Sequence, residues 1–226
     1  MTQQPHNFEL FSFWRSSATY RVRVGLNLKG LQPAEHYVNL DAGEQRSEAF
    51  LKINPLGAVP ALINLGAEQS SVPLTQSLAI LEFLEDTYPT PAMLPQDGLG
   101  RARVRSIAAM LAVDTHPLIT PRVKKYLTTV GNFDEEAWRA WQINWFGTGL
   151  RALEQRLSNE TETGTFCHGD MPTMADICLA SIIVVMRTFK IEIVDIPTVQ
   201  RIMANCEQID AFAMADPGRQ LGAPTG

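Results

Sequence analysis

The amino-acid sequence predicts an α/β domain followed by an all-helical domain. Strand-like patterns of apolar residues are confined to the first part of the chain. A segment rich in proline and glycine, residues 88–100, follows them and has the composition of a linker. Beyond it the apolar residues recur with helical spacing only. We therefore expect one domain over residues 1–88, a linker over 89–100 and a helical domain over 101–226.

In the first domain, strands and helices are predicted to alternate. The expected elements are a strand at 8–13, a helix at 18–29, a strand at 35–40, a short helix at 47–53, strands at 59–63 and near 72–74, and a helix at 75–87. The first three form a βαβ unit, and the whole order is βαβ–ββα. Pro60 cannot donate to a sheet ladder, so we expect it at a strand edge or entry, where it is a candidate for a cis bond.

The second domain is predicted to consist of helices alone. They are expected at 101–115, 134–157, 173–189, from 197 onwards and at 209–215. Pro117 and Pro121 should interrupt or kink the first of them. Asp134 is a predicted N-cap, and Thr173 with Asp176 resembles a capping box. The helix that this box opens is almost entirely apolar, which predicts a buried central helix.

Composition excludes several classes of function. The chain has 226 residues, of which 45% are hydrophobic and 19% charged, enough to bury a substantial core. A net charge of −5 argues against nucleic acid as a partner. Residues 1–10 show no secretory signal, and no apolar stretch is long enough to span a membrane. Three widely spaced cysteines predict neither a disulfide framework nor a metal site, and they fit a reducing cytosol.

Four segments of the chain carry a family resemblance. They are FWRSSATYRVRVGLNLKG, NPLGAVPAL, QSLAILEFLEDTYPTPAMLP and GDMPTMADICLA. In order and spacing they resemble the zeta class of the glutathione transferase superfamily, and the similarity extends over nearly the whole chain. The resemblance implies a thioredoxin-like first domain that binds glutathione, the glutathione transferase fold and a homodimer, and the cysteines add a cytoplasmic location. The class includes isomerases of maleyl diacids.

The resemblance assigns catalysis to two serines. Ser16 is implied to activate the glutathione thiol, and Ser17 to support it. A free thiol has a pKa of about 8.5, and a donated hydrogen bond and a helix N-terminus both favour its ionised form. Ser17 is alternatively a simple N-cap. No cysteine precedes Cys167, so disulfide exchange by the first domain is excluded.

Further positions match glutathione contacts of the family. The main chain of Val59, before Pro60, is expected to pair with the glutathione backbone as an added strand does. Gln76 and Ser77, at a helix N-terminus, are expected to hold the γ-glutamyl carboxylate, with simple helix capping as the alternative. Gln45 is a further implied contact.

Another group of positions concerns the second domain and the second substrate. Asp114 and His116 match glutathione contacts, although a lone histidine at a helix break is often structural. Arg15 and Arg122 match arginines that bind substrate carboxylates. By contrast, Arg21 and Arg23 are expected to face solvent or to pair across the domain interface.

The sequence also departs from the family pattern. Ala18 stands where the zeta class usually has cysteine, and Thr188 replaces a family arginine. Arg187 is adjacent and is a candidate substrate contact, but one step along a helix turns a side chain by about 100°. Ile119 and Thr120 replace asparagines, so the predicted pocket is less cationic than that of the family.

Three functions remain open on the sequence. The first is a glutathione-dependent cis–trans isomerase of a maleyl-type diacid. The second is a transferase that conjugates glutathione to apolar or halogenated electrophiles. The third is a glutathione-fold protein that binds ligands without catalysis.

Overall fold

The computed structural model of the chain describes residues 7–66 and 72–224. Residues 1–6, on which most of the signal-peptide prediction rests, lie outside the described residues. The chain divides into two compact units, Met1–Pro91 with Asp210–Gly226, and Ala92–Ile209. Within the described residues, no helix is both long and apolar enough to cross a membrane.

The first unit is built on a four-stranded mixed sheet. Its strands are β1 (Phe8–Ser12), β2 (Ala34–Tyr37), β3 (Ala61–Asn64) and β4 (Leu74–Thr75). The spatial order is β2-β1-β3-β4, with β1 and β2 parallel and β3 antiparallel to both β1 and β4. This is the predicted βαβ–ββα arrangement of a thioredoxin-like domain. Strand β3 begins only after Pro60, because proline has no N–H to donate to the ladder.

Three helices accompany the sheet along the chain. They are α1 (Ser17–Leu28), α2 (Glu48–Ile53) and α3 (Ser77–Thr87), close to the predicted bounds. Every residue from 19 to 26 in α1 is buried, so this helix is enclosed around its circumference. Polar side chains on such a helix need partners inside the protein.

The expectation that Arg21 and Arg23 face solvent is therefore wrong. Both are buried, with 2% and 4% of their surface exposed. Arg23 is held by Glu35, with Nη2 2.8 Å from Oε2, and by the hydroxyl of Ser12 at 3.1 Å. The helical pattern alone did not show that α1 is covered on all sides.

Gly25 allows α1 and α3 to approach closely. A Cβ at this position would overlap the side chain of Leu81 and lie 3.4 Å from that of Leu84. We expect Gly25→Val to lower the free energy of unfolding by about 2 kcal/mol through overpacking. The control is Gly98→Val, where an added Cβ meets nothing within 4 Å. Equal urea midpoints for the two variants would contradict this account of the α1–α3 contact.

The second unit is helical. Its helices are α4 (Gly98–Ala109), α5 (Pro121–Thr129), α6 (Glu135–Asn159), α7 (Met174–Thr188) and α8 (Pro197–Glu207). The predicted helix at 101–115 ends early as an α-helix, because residues 110–115 form a π-helix. Helix α5 was not predicted. Pro121 occupies its first turn, where a missing N–H costs nothing, so this proline begins a helix instead of breaking one.

The predicted start of the central helix is confirmed. Thr173 and Asp176 form a capping box, and all residues of α7 from 174 to 186 are buried. The predicted N-cap of α6 is confirmed too, since Asp134 accepts a hydrogen bond from the N–H of Ala137 at 2.8 Å.

The last helix, α9 (Asp210–Met214), belongs to the first unit, whereas the sequence analysis grouped its residues with the helical domain. Phe212 is buried, and its carbonyl accepts from the hydroxyl of Tyr20 at 3.5 Å. Asn27 donates from Nδ2 to the carbonyl of Ala211 at 2.9 Å. These contacts to α1 span more than 180 residues of sequence, and local patterns do not reveal them. The remaining predicted domain bounds stay a prediction.

Candidate active site

Strand register brings the predicted contacts of the first unit to one edge of its sheet. Ala61, the first residue of β3, lies opposite Phe11 near the end of β1 and opposite Thr75 at the end of β4. The segments that continue from these three points therefore emerge at the same edge. They carry Ser16 and Ser17 after β1, Val59 and Pro60 before β3, and Gln76 and Ser77 after β4.

Ser16, and not Ser17, is the N-cap of α1. Its Oγ accepts from the N–H of Thr19 at 3.2 Å, and its backbone is extended, as an N-cap requires. Among the described residues, the Ser16 hydroxyl donates no hydrogen bond. Its proton is thus available at a helix N-terminus, where the peptide dipoles favour a negative charge.

Ser17 is buried directly behind this cap. Its Oγ accepts from Nη1 of Arg21 at 3.2 Å, one helical turn along α1. The alternative interpretation of Ser17 as the N-cap is therefore wrong, because the helix begins at Ser17 itself and the capping hydroxyl precedes it.

The peptide bond between Val59 and Pro60 is cis, as considered from the sequence. Among the described residues, neither the N–H nor the carbonyl of Val59 has a hydrogen-bond partner. Both groups lie just outside β3, where an extended peptide would find a donor and an acceptor on one residue.

Gln76 has an unusual backbone conformation. Its φ of 69° lies in the left-handed region, which costs a residue other than glycine about 1–3 kcal/mol and is frequent at functional sites. It occupies the N-cap position of α3 without providing a side-chain cap. Ser77 follows as the first residue of the helix and is buried, with Oγ accepting from Nε of Arg21 at 2.8 Å.

Gln45 lies in a 3₁₀ turn, Glu44–Arg46, that follows β2. Its Nε2 donates to the carbonyl of Leu40 at 3.4 Å. Its Oε1 is buried and has no hydrogen-bond partner among the described residues. A buried acceptor in this state is rare in folded proteins, and it marks a position where a ligand donor would be favourable.

Arg15 immediately precedes Ser16 and has a half-buried side chain. Its Nη2 lies 2.6 Å from Oδ1 of Asp41, and its guanidinium lies 5.5 Å and 5.4 Å from the ring centres of Phe13 and Trp14. These contacts hold the cation beside the first turn of α1. Only one of its N–H groups is used within the described residues, so the others remain available to an anion.

Three predicted contacts belong to the helical unit. Asp114 is exposed within the π-helix, a distortion frequent at functional sites, and His116 is half-buried directly after it. The hydroxyl of Thr115 donates to the carbonyl of Met110 at 2.9 Å, which fixes the end of the π-helix. Arg122 is exposed on the first turn of α5. The ligand contacts assigned to these residues stay predictions.

Arg187 and Thr188 end α7 with their polar groups engaged. Arg187 forms an ion pair with Glu207 of α8. The Thr188 hydroxyl donates to the carbonyl of Val184 at 2.9 Å, one turn back in its own helix. Thr188 therefore brings no charge to this position, and Arg187 is paired with Glu207 through one N–H group. The substrate contact assigned to Arg187 stays a prediction.

The three cysteines lie in the protein interior. All three are free and buried. Burial raises the pKa of Cys167 and of Cys206, so both remain protonated thiols at neutral pH. Neither of these two thiols is therefore suited to act as a nucleophile.

Arg21 bonds to both Ser17 and Ser77, a role that was not predicted from the sequence. A signal was present, because Ser17 and Arg21 are four residues apart on a predicted helix and such residues share one face. The contact to Ser77, 56 positions away in the chain, could not be read from local spacing.

The comparisons with known proteins agree with this geometry. The family model for the glutathione S-transferase N-terminal domain matches residues 6–86. A maleylpyruvate isomerase from a Ralstonia species is 39% identical over 94% of this chain and 98% of its own length. The chain belongs to the glutathione S-transferase family. It is therefore an enzyme of this superfamily.

Solved structures of this family extend the comparison to the whole fold. The maleylacetoacetate isomerase of Methylobacterium extorquens AM1, solved with malonate and GSH bound, is 46% identical, with a TM-score of 0.91 over 96% of this chain and 100% of that chain. A holo maleylpyruvate isomerase, described as a bacterial glutathione S-transferase of the zeta class, is 37% identical, with a TM-score of 0.90 over 96% of this chain and 100% of that chain. The predicted zeta-class resemblance and transferase fold are confirmed.

Proposed function

We propose that this protein binds glutathione and catalyses the cis–trans isomerisation of a maleyl-type diacid, maleylpyruvate or maleylacetoacetate. The observation that carries the proposal is the position of Ser16 at the N-terminus of α1, where its hydroxyl proton has no acceptor among the residues that the structure describes. When bound, glutathione supplies a thiolate that adds to the carbon–carbon double bond of the substrate. The bond is then single and rotates, and elimination of the thiolate restores the double bond in the trans form.

The sheet edge fits a tripeptide with one free carboxylate at its γ-glutamyl end. The first N–H groups of α3 have no partner within the helix and favour that carboxylate together with the Ser77 hydroxyl. The main-chain N–H and carbonyl of Val59, which have no partner among the described residues, are proposed to pair with the cysteinyl backbone. The unpartnered Oε1 of Gln45 accepts a hydrogen bond from the same ligand.

Ser16 then determines the protonation state of the thiol. Its hydroxyl donates to the sulfur, which stabilises the thiolate and lowers the thiol pKa towards neutrality. The dipole of α1 acts in the same direction. Ser17, the residue next to Ser16 in the first turn of α1, is proposed to support this arrangement.

The diacid needs cations to hold its carboxylates. Arg15 is the proposed contact in the first unit, because most of its N–H groups are unused and Asp41 fixes its position. Arg122 is the proposed contact in the helical unit, and Asp114 and His116 are proposed to contact glutathione. These three roles are supported by the family resemblance.

Conjugation to an apolar or halogenated electrophile is the second candidate function. It is favoured by the end of α7, where Thr188 replaces an arginine of the family and its hydroxyl is bonded within its own helix. Thiol consumption separates the two reactions, since isomerisation regenerates glutathione and conjugation does not.

Restoring a cation at Thr188 should favour the diacid. We expect Thr188→Arg to lower the KM for maleylpyruvate about tenfold, the effect of one hydrogen bond between charged groups. Thr188→Met is the control, because it adds length without charge. If both variants shift KM equally, side-chain size and not charge governs this position.

Two further proposals concern the oligomeric state and the cellular location. We propose that the protein is a homodimer, which light scattering at micromolar concentration would contradict by giving the mass of one chain. We also propose a cytoplasmic location, supported by three free cysteines that fit a reducing compartment.

Glutathione binding is tested directly by calorimetry on the wild-type protein. We expect saturable binding of glutathione and much weaker binding of cysteinylglycine, which lacks the γ-glutamyl carboxylate. Equal affinity for the two peptides would contradict the anchor at the N-terminus of α3.

A further inference from the structure

Arg21 connects the first residues of two helices. Its guanidinium is buried and donates to the hydroxyl of Ser17, where α1 begins, and to that of Ser77, where α3 begins. A guanidinium is planar, rigid and always charged. It therefore fixes the positions of the two hydroxyls relative to each other and holds a positive charge against both helix N-termini.

The direction of the two hydroxyl protons follows from these hydrogen bonds. Each oxygen accepts from Arg21, so its own proton must point away from the guanidinium. Within residues 7–66 and 72–224, the proton of the Ser77 hydroxyl has no acceptor, which leaves it available to an anion at the N-terminus of α3. Arg21 thus prepares a donor without occupying the site itself.

We infer that Arg21 is a positioning residue that couples the thiol-activating serines to the γ-glutamyl anchor of the glutathione site. The inference rests on the proposed function. Arg21 acts through Ser17 on the thiol side and through Ser77 on the carboxylate side. Its positive charge favours the glutathione thiolate on the first side and the γ-glutamyl carboxylate on the second.

Arg23 provides a matched comparison on the same helix. It is equally buried, but its hydrogen bonds go to Glu35 and to the hydroxyl of Ser12, and neither residue is placed in the glutathione site. Loss of Arg23 removes a buried cation from α1 without disturbing Ser17 or Ser77.

The experiment compares Arg21→Met, Arg21→Lys and Arg23→Met with the wild type. Three quantities are measured: the Kd of glutathione by calorimetry, the pKa of the bound thiol from thiolate ultraviolet absorbance, and the urea midpoint. For Arg21→Met we expect a Kd about tenfold weaker and a raised thiol pKa. Arg21→Lys keeps the positive charge but lacks the several N–H groups with which the guanidinium bonds to both serines. We therefore expect a higher Kd than in the wild type, with a smaller rise in thiol pKa than in Arg21→Met.

The expected result for Arg23→Met is a lower urea midpoint with the Kd and thiol pKa of the wild type.

Coupling between Arg21 and Ser77 is tested by adding Ser77→Ala to the wild type and to Arg21→Met. This change should weaken binding in the wild type and have little further effect in Arg21→Met, because both remove the same contact.

Equal values of Kd and thiol pKa for Arg21→Met and Arg23→Met would overturn the inference and leave Arg21 a structural role only. If Arg21→Met does not fold, Arg21→Lys decides, and an unchanged Kd overturns the inference. Absence of glutathione binding by the wild type is a different result, which overturns the proposed function and this inference together.

Discussion

Ser16→Ala should reduce kcat/KM for isomerisation about 100-fold or more, the effect typical of losing one hydrogen bond to a developing or reacting anion. The physical reason is that the bound thiol loses the donor that stabilises its thiolate, so its pKa rises. The rate should recover in part as the pH is raised, since more of the thiol then ionises without the serine. The measurements are the pH profile of kcat/KM and the thiolate absorbance of the bound glutathione.

Ser16 is also an N-cap, so the activity must be separated from helix stability. Ser47 is a matched control because it caps α2 in the same way, with Oγ accepting from the N–H of Phe50 at 3.2 Å. Each alanine variant should lose about 1 kcal/mol of stability. Only Ser16→Ala should lose thiolate absorbance. An equal loss of activity in both variants would mean that Ser16 acts only as a cap.

Asp176→Ala should destabilise the helical unit more than any other single change considered. The carboxylate is fully buried and accepts from the N–H of Cys167 at 2.7 Å and from the N–H and hydroxyl of Thr173 at 2.8 Å each. Each buried donor left without a partner costs about 1–3 kcal/mol. We expect a total loss of about 3–5 kcal/mol and a melting temperature lower by about 10 °C.

The control for this prediction is Asp134→Ala. Asp134 also caps a helix of the second unit, but it is exposed and accepts from the N–H of Ala137 alone. Its loss should cost about 1 kcal/mol. Burial raises the pKa of Asp176, against the opposing effect of its hydrogen bonds with Cys167 and Thr173. Asp176→Asn keeps an acceptor, so its melting temperature should fall between those of the two alanine variants. A melting temperature for Asp176→Ala as high as that of Asp134→Ala would contradict the account.

The sequence was informative for several features that depend on local spacing. The βαβ–ββα order, the capping box at Thr173 and the N-cap at Asp134 all follow from short-range patterns, and the structure confirms them. The start of α5 was missed because Pro121 was interpreted as a helix breaker, although the first turn of a helix tolerates proline.

Features that depend on long-range packing could not be predicted in this way. Arg21 and Arg23 resemble solvent-facing arginines in the sequence, and only the enclosure of α1 on all sides shows that they are buried. The grouping of α9 with the first unit depends on contacts to Tyr20 and Asn27. The pairing of Arg187 with Glu207 joins two helices whose relative position no local pattern specifies.

The central claim is that the protein isomerises a maleyl diacid and returns glutathione unchanged. It is tested most directly by following ultraviolet absorbance and free thiol together, with purified protein, glutathione and maleylpyruvate or maleylacetoacetate. The account predicts that the cis substrate disappears while the thiol concentration stays constant. Loss of thiol in step with substrate, or no reaction at all, would contradict it.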